Sequence, residues 1–224
     1  MIKILPSLLN SDFFEIKETI HRLEKIGIDE LHIDVMDGNF VEDMAFGPKL
    51  IRTLRQNTKM LLDVHLMIES PDMKISKFLK TGADTITVHI ESSQHIYKVL
   101  QEIKSAGIAC GIALNPQTPV SSLEMILSIV DQVTVLTINP GTYNEHIIAN
   151  MYQKIKQLND LKVQHNLSYK ILVDGKVDIE TAKHMAYYGA DKIVSGGAIF
   201  NNNSIEDNIK KLQQAVLQGV HNYE

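Results

Sequence analysis

The stretch Gly27-Ile28-Asp29-Glu30-Leu31-His32-Ile33-Asp34-Val35-Met36-Asp37-Gly38 decides the fold. Its first glycine suits the left-handed position that ends a helix. The run that follows has the length and composition of a buried strand. Alternate side chains of a strand share a face. Leu31, Ile33 and Val35 therefore make one fully apolar face for packing against helices, and His32, Asp34 and Met36 make the other. Working outward, Gly82-Ala83-Asp84 and Gly189-Ala190-Asp191 repeat the opening, and Gly107-Ile108-Ala109 is a looser copy. Each stands between an amphipathic segment and another apolar run. Eight such runs are predicted as strands, at 2–6, 30–36, 61–68, 85–90, 110–114, 132–138, 170–174 and 192–195. They are nearly continuous rather than alternating, the pattern of a parallel sheet covered on both faces.

The intervening segments 12–26, 48–56, 71–81, 95–106, 120–130, 146–164, 178–188 and 205–218 are predicted helices. In the first, Phe13, Ile16, Ile20 and Leu23 recur at steps of three and four, and Ser11 sits where an N-cap is needed. Strand and helix alternate to the end, which is α/β organisation. About eight βα units without a Pro-, Gly- or Ser-rich linker predict one (β/α)8 TIM barrel over residues 1–224, a single domain. An open doubly wound sheet is the runner-up, but the Gly-x-Gly-x-x-Gly turn that would favour it is absent after the first strand.

Composition narrows the function. Hydrophobic residues make up 44% and charged residues 22%, which excludes a disordered or fibrous chain. The net charge of −5 gives no attraction for a phosphate polymer, so no nucleic-acid partner is expected. Cys110 is the one cysteine, so no internal disulfide is expected, as suits a reducing cytosol. The N-terminus lacks the pattern of a signal peptide, and no run approaches about 18 uncharged apolar residues. A cytoplasmic protein without a membrane partner is the expectation.

In such a barrel, chemistry gathers at the C-terminal strand ends. The second strand brings His32 and Asp34 inward, and the third brings His65 and Met67, with Asp63 on the same side. The seventh ends in Asp174-Gly175. A lone inward histidine is ordinarily a hydrogen-bonded core residue, and a lone strand-end aspartate a turn residue. Two of each at one mouth are the pattern of a metal or acid–base site, with donors that suit Zn²⁺, Fe²⁺, Co²⁺ or Mn²⁺. His89 ends the fourth strand and could reach the mouth, though a structural role is the first reading; His21, His95, His146, His165, His184 and His221 are expected at the surface. Met36 and Met67 read either as core filler or as an apolar floor that excludes water from a reactive intermediate.

These residues carry a resemblance. Pro6-Ser7-Leu8-Leu9-Asn10-Ser11-Asp12-Phe13, His32 to Val41, Asp63-Val64-His65-Leu66-Met67-Ile68, Leu114-Asn115-Pro116-Gln117-Thr118-Pro119 and Val173-Asp174-Gly175 stand in the order and spacing of the ribulose-phosphate 3-epimerase family. The chain resembles that family over nearly its whole length. The resemblance implies a metal-dependent isomerase that epimerises a ketose phosphate at C3, D-ribulose 5-phosphate to D-xylulose 5-phosphate, through a metal-stabilised enediolate. It implies one divalent metal ion per subunit, Zn²⁺ or Fe²⁺ first, held by His32, Asp34, His65 and Asp174. Asp34 and Asp174 are then the acid–base pair. Ser7 bonds a substrate hydroxyl, and Met36, His65 and Met67 line the substrate. A homo-oligomer, dimer or larger, is also implied.

The phosphate end departs from the family pattern. The family's third methionine becomes Leu136. Its Phe-Gly-Gly-Gln after Asn-Pro-Gly becomes Thr142-Tyr143-Asn144-Glu145, its Asp-Gly-Gly becomes Asp174-Gly175-Lys176, and its Gly-Ser becomes Gly196-Gly197. Gly141, Lys176, Gly196 and Gly197 are the expected phosphate cradle, which Glu145 would oppose if it faced the pocket, and Gly175 is expected to bind substrate where it lets backbone approach closely. These changes leave an epimerase for another ketose, such as D-allulose 6-phosphate, as the alternative. A non-catalytic sugar-phosphate-binding paralogue is a further alternative, which the two carboxylates speak against. Orotidine-phosphate decarboxylase relatives share the barrel's phosphate end, but their Asp-x-Lys-x-x-Asp lysine is missing from Asp34-Val35-Met36-Asp37.

Overall fold

The computed structural model describes residues 2–142, 145–201 and 204–221, His221 by its backbone alone. Its strands are β1 (Lys3–Pro6), β2 (Glu30–Asp37), β3 (Met44–Ala45), β4 (Leu61–Met67), β5 (Thr85–His89), β6 (Ala109–Leu114), β7 (Gln132–Leu136), β8 (Lys170–Asp174) and β9 (Lys192–Ser195). The helices are α1 (Ile16–Lys25), α2 (Pro48–Asn57), α3 (Ile75–Phe78), α4 (Ile96–Ser105), α5 (Met151–Gln164), α6 (Ile179–Tyr187) and α7 (Ile205–His221). Eight strands run parallel in the order β1-β9-β8-β7-β6-β5-β4-β2. A parallel bridge from Ser7 to His32 closes the sheet into the expected (β/α)8 barrel. A further strand, β3, pairs antiparallel with the end of β2, and the loop between them packs Phe40 and Val41 against Met36 and Met67. None of the described helices is long and apolar enough to cross a membrane.

The two faces of the strands part as their period of two requires. Leu31, Ile33 and Val35 of β2, Leu62, Val64 and Leu66 of β4, and Ile86 and Val88 of β5 join one large apolar layer beneath the helices. Inside, Leu5, Leu172 and Val194 fill the side formed by β1, β8 and β9. The other side is polar: Gln132 Nε2 donates to Asp63 Oδ1 at 2.9 Å and to Thr87 Oγ1 at 3.3 Å. Gly111 makes room for this, because a Cβ there would stand 2.1 Å from Thr87 Oγ1. At the N-terminal end, Glu30 pairs with Lys192 at 2.5 Å and Lys3 at 3.4 Å.

The sequence repeat acquires a physical meaning. Gly27, Gly82, Gly107 and Gly189 all take φ between 77° and 103°, ending the preceding segments. Asp84, Asp131 and Asp191 each stitch a strand on either side. Their carboxylates accept the backbone N–H groups of Leu62 (2.8 Å), Cys110 (2.9 Å) and Ile171 (2.9 Å). Their carbonyls accept from Ala109, Lys170 and Lys3 of the opposite neighbours. Asp29 makes only the carbonyl half of this stitch, to Leu61.

Local chemistry differs from expectation at the helix starts. Asp12, not Ser11, caps the first turn: its Oδ1 accepts from Phe14 N, while Ser11 Oγ donates back to Leu8 O. That turn is 3₁₀, and α1 begins at Ile16. Segment 71–81 becomes a 3₁₀ turn at Pro71–Met73 followed by the single-turn α3. Segment 120–130 is not an α-helix: a 3₁₀ turn spans Val120–Leu123, and hydrogen bonds between residues three apart continue to Ile129. Val120, Leu123 and Ile126 are buried there. A step of three suits the 3₁₀ repeat, in which such side chains eclipse. The 146–164 helix begins later, at Met151.

Asp191 is the stitch most amenable to test. Burial pushes its carboxyl up, but Lys162, the Ile171 N–H and Lys170 outweigh burial and hold it below the usual carboxylate range. A depressed carboxyl stabilises above its unfolded pKa and loses that contribution as pH falls through the folded value. Asp191→Ala is expected to cost roughly 1–3 kcal/mol at neutral pH. The difference from wild type should narrow below about pH 4, as followed by urea unfolding across pH.

Candidate active site and metal centre

Strand register builds the site. Pairing of β2 with β4 sets His32 beside Asp63 and Asp34 beside His65. His32 Nδ1 lies 2.7 Å from Asp63 Oδ2. A carboxylate only accepts, so Nδ1 carries a proton and Nε2 faces the mouth. There Nε2 lies 3.1 Å from Asp34 Oδ1 and 3.8 Å from Asp174 Oδ2. His65 Nδ1 lies 3.2 Å and 3.6 Å from the same two atoms. All four ligand atoms fall within 4.8 Å of one another. A tetrahedral cation with bonds of about 2.1 Å has ligand–ligand edges of about 3.4 Å, so the donor set and its spacing fit a divalent metal.

Burial and charge act against each other here. Burial pushes both imidazoles down, but Asp34 and Asp63 hold His32 well above its ordinary value. Asp174 and Asp34 likewise raise His65. Burial pushes the Asp34 carboxyl up, yet the charges and hydrogen bonds of His32 and His65 hold it well below the carboxylate range. Ser7 Oγ donates to Asp34 Oδ2 at 2.7 Å, fixing that carboxylate further.

A cavity of about 610 Å³ opens over this cluster. Ser7, Asp34, Met36, Met67, Leu136, Gly141, Asp174, Gly175, Lys176, Gly196 and Gly197 are among the residues that line it. His32 and His65 do not: they are buried behind the carboxylates. Met36 and Met67 pack with Val41, Phe40 and Leu9 as an apolar patch at the rim. Asp37 holds the β2–β3 loop there through the N–H groups of Asn39, Phe40 and Glu69 and through Lys74.

Part of the rewritten phosphate end lies among the described residues. Glu145 turns away, its carboxylate accepting from the backbone and side-chain amides of Asn139. It does not line the cavity. Tyr143 and Asn144 lie outside the described residues. Lys176 takes φ 46°, the left-handed region, at the position where a glycine was expected. A Cβ on Gly196 would stand 1.9 Å from Asn10 Oδ1, so that backbone must stay bare.

Sequence reasoning missed Lys211, Asn208 and Asn10, which also line the cavity. Lys211 and Asn208 lie on α7, whose apolar periodicity gave no sign of which polar face meets the barrel mouth. His89 is completely buried, as a structural role requires. Burial lowers it to about 4, against the pull of Glu91. The other described histidine side chains are exposed; that of His221 lies outside the described residues.

The fold is shared with solved structures at low identity. KGPDC from Streptococcus mutans superposes with a TM-score of 0.72 over 98% of this chain and 99% of that one, at 12% identity. The 3-hexulose-6-phosphate synthase of Salmonella typhimurium gives 0.64 over 97% and 100%, at 17% identity. Nearer relatives are ribulose-phosphate 3-epimerases. That of Treponema pallidum is 40% identical over 88% of this chain and 91% of its own length. That of Bacillus subtilis is 38% identical over 95% and 99%. Residues 3–200 match the family model described as "Ribulose-phosphate 3 epimerase family". With the barrel, the converging carboxylates and these relatives in agreement, the chain belongs to the ribulose-phosphate 3-epimerase family.

Proposed function

We propose that this chain is an isomerase that interconverts D-ribulose 5-phosphate and D-xylulose 5-phosphate by epimerisation at C3. The observation that carries the reading is the convergence of Asp34 and Asp174, from strands on different sides of the barrel opening, on one cavity backed by two buried imidazoles. Inversion at carbon needs a base on one face and an acid on the other. Asp34, held ionised by its surroundings, takes the C3 proton. Asp174, on the opposite side of the same cavity, returns a proton to the other face. The reverse reaction begins with the two exchanged. Met36, Met67 and Leu136 keep bulk water from the reacting carbon. A divalent cation held by His32, Asp34, His65 and Asp174 would supply Lewis-acid neutralisation of the charge left on the substrate oxygens. Zn²⁺ and Fe²⁺ suit the donors best in this reading, and Mn²⁺ or Co²⁺ also fit.

The phosphate is assigned to Gly141, Gly175, Gly196 and Gly197 together with Lys176 and Lys211. Both lysines line the cavity, and neither pairs with a carboxylate among the described residues.

Three outcomes test this reading. Asp34→Asn and Asp174→Asn should each lower turnover by at least about 10²-fold while the fold is kept. Loss of C3 deuterium exchange in D₂O by NMR checks it, and near-wild-type exchange in either variant would remove the two-carboxylate mechanism. Lys176→Gly should raise KM for ribulose 5-phosphate roughly tenfold. The same change relieves a left-handed lysine, so stability should rise by up to about 1 kcal/mol. An unchanged KM would place the phosphate elsewhere, and allulose 6-phosphate in a parallel assay would show whether the longer substrate is preferred. Finally, His32 and His65 hold protons above their ordinary range, and a cation must displace them. Affinity for Co²⁺ should therefore climb from about pH 6 to about pH 8, with proton release greatest at the acid end. Calorimetry in buffers of different ionisation enthalpy measures it; a flat profile would mean that the imidazoles are already neutral.

A further inference from the structure

Behind His65 stands a histidine that this reaction does not use. His89 Nε2 lies 2.8 Å from His65 Nε2, and the rings stack with centroids 4.9 Å apart. Two ring nitrogens this close need one N–H and one lone pair between them. On its other side, His89 Nδ1 lies 3.3 Å from Glu91 Oε2. Neither His89 Nδ1 nor the buried Asn115 Oδ1 has an aligned hydrogen bond. Such orphaned atoms are costly when buried.

Glu91 has little freedom. Its Oε1 accepts from Asn115 N at 2.8 Å and from the Thr118 hydroxyl. The Asn115–Thr118 turn is itself pinned by Lys154 of α5, whose Nζ donates to the carbonyls of Asn115 (2.9 Å), Pro116 (2.8 Å) and Thr118. Oε2 is thereby turned toward His89. A carboxylate cannot donate, so the proton of His89 belongs on Nδ1 and its lone pair on Nε2. His65 must then donate from Nε2. That leaves its Nδ1 directed at Asp34 Oδ1 and Asp174 Oδ2.

We propose that Glu91 and His89 form a positioning relay that fixes the tautomer of His65, presenting its Nδ1 lone pair to a divalent cation shared with His32, Asp34 and Asp174. The relay rests on the reading that these four residues hold the cation. It is structurally separate from the substrate: neither His89 nor Glu91 lines the substrate cavity, and Glu91 faces a second cleft beside Phe40, Asp72 and His95.

Glu91→Gln tests the relay with little change of shape. The Asn115 N–H requires an oxygen at the Oε1 position, so the new amide group faces His89. His89 Nδ1 then faces an amide donor in place of the carboxylate, which favours acceptance there and donation at Nε2, and with it a proton on the His65 nitrogen meant for the cation. Titration of metal-free protein with Co²⁺, read by its visible absorption and by competition with a chelator, should show affinity 10–100-fold weaker than wild type. The melting temperature of the metal-free variant should be unchanged. His89→Phe should weaken Co²⁺ similarly, whereas His89→Gln, whose carboxamide oxygen accepts from His65, should recover most of the affinity. If His89→Phe does not fold, Glu91→Gln alone decides. Wild-type Co²⁺ affinity in Glu91→Gln overturns the relay, whether its metal-free melting temperature is kept or lowered; the lowered case makes the contact merely structural. Failure of the wild-type protein to bind Co²⁺ would overturn the four-ligand reading first, and the relay with it.

Discussion

His32 Nδ1 and Asp63 Oδ2 stand 2.7 Å apart inside the barrel, and much of the interior follows from the need to keep them there. A buried imidazole and carboxylate are tolerable only when paired and when the remaining lone pairs are satisfied. The second oxygen of Asp63 takes its bond from Gln132, and Gln132 in turn reaches Thr87. Thr87 occupies space that a side chain at position 111 would need, hence Gly111. One buried pair thus constrains residues on three further strands. It also fixes which nitrogen of His32 faces the mouth.

This polar half is affordable because the barrel supplies an apolar half. Leu5, Leu172 and Val194 close the interior along β1, β9 and β8, where no imidazole intrudes. Outside the sheet, alternate residues of the eight parallel strands feed one continuous layer under the helices. The aspartate stitches then lock strand ends together at the N-terminal rim, away from the chemistry. Stability is concentrated in the outer layer and the lower rim. The upper rim is left free to carry ionisable groups in costly surroundings, a division suited to a barrel whose loops hold the site.

Most of this was legible in the sequence because a strand has a period of two and a buried strand leaves few other readings. All eight parallel strands, and the meeting of His32, Asp34, His65 and Asp174 at one mouth, follow from that period and from where the apolar runs end, while their reading as one ligand set came with the family resemblance. What escaped depends on partners distant in sequence or on fine local geometry. The pairing of Met44–Ala45 with β2 is two residues long, below any periodic signal. The step of three at Val120, Leu123 and Ile126 fits an amphipathic α-helix nearly as well as a 3₁₀ one until hydrogen bonds are seen. Ser11 and Asp12 are both good caps, and only the backbone decides between them. Lys211 reaches the cavity because α7 packs against α6 and β1, a tertiary fact its own pattern does not hold. His89 reads as core filling because its partner is one strand away.

The two carboxylates and the two imidazoles are not equivalent, and the asymmetry bears on how one site can take and give protons. Asp34 is enclosed: Ser7, His32 and His65 all reach its oxygens. Asp174 is more exposed and stands beside Gly175, and among the described residues its carboxylate has longer contacts, to His32 and His65. The same contrast appears behind them. His32 is backed directly by an anion, Asp63, whereas His65 is backed by a second imidazole. A carboxylate makes the imidazole it backs more basic, and a neutral ring does so less. Graded donors around one cation position would leave its charge unevenly balanced, and unequal carboxylates around one carbon provide the inequality that acid–base chemistry needs. A site of symmetrical groups would have no reason to keep one carboxylate ionised while the other carries the proton.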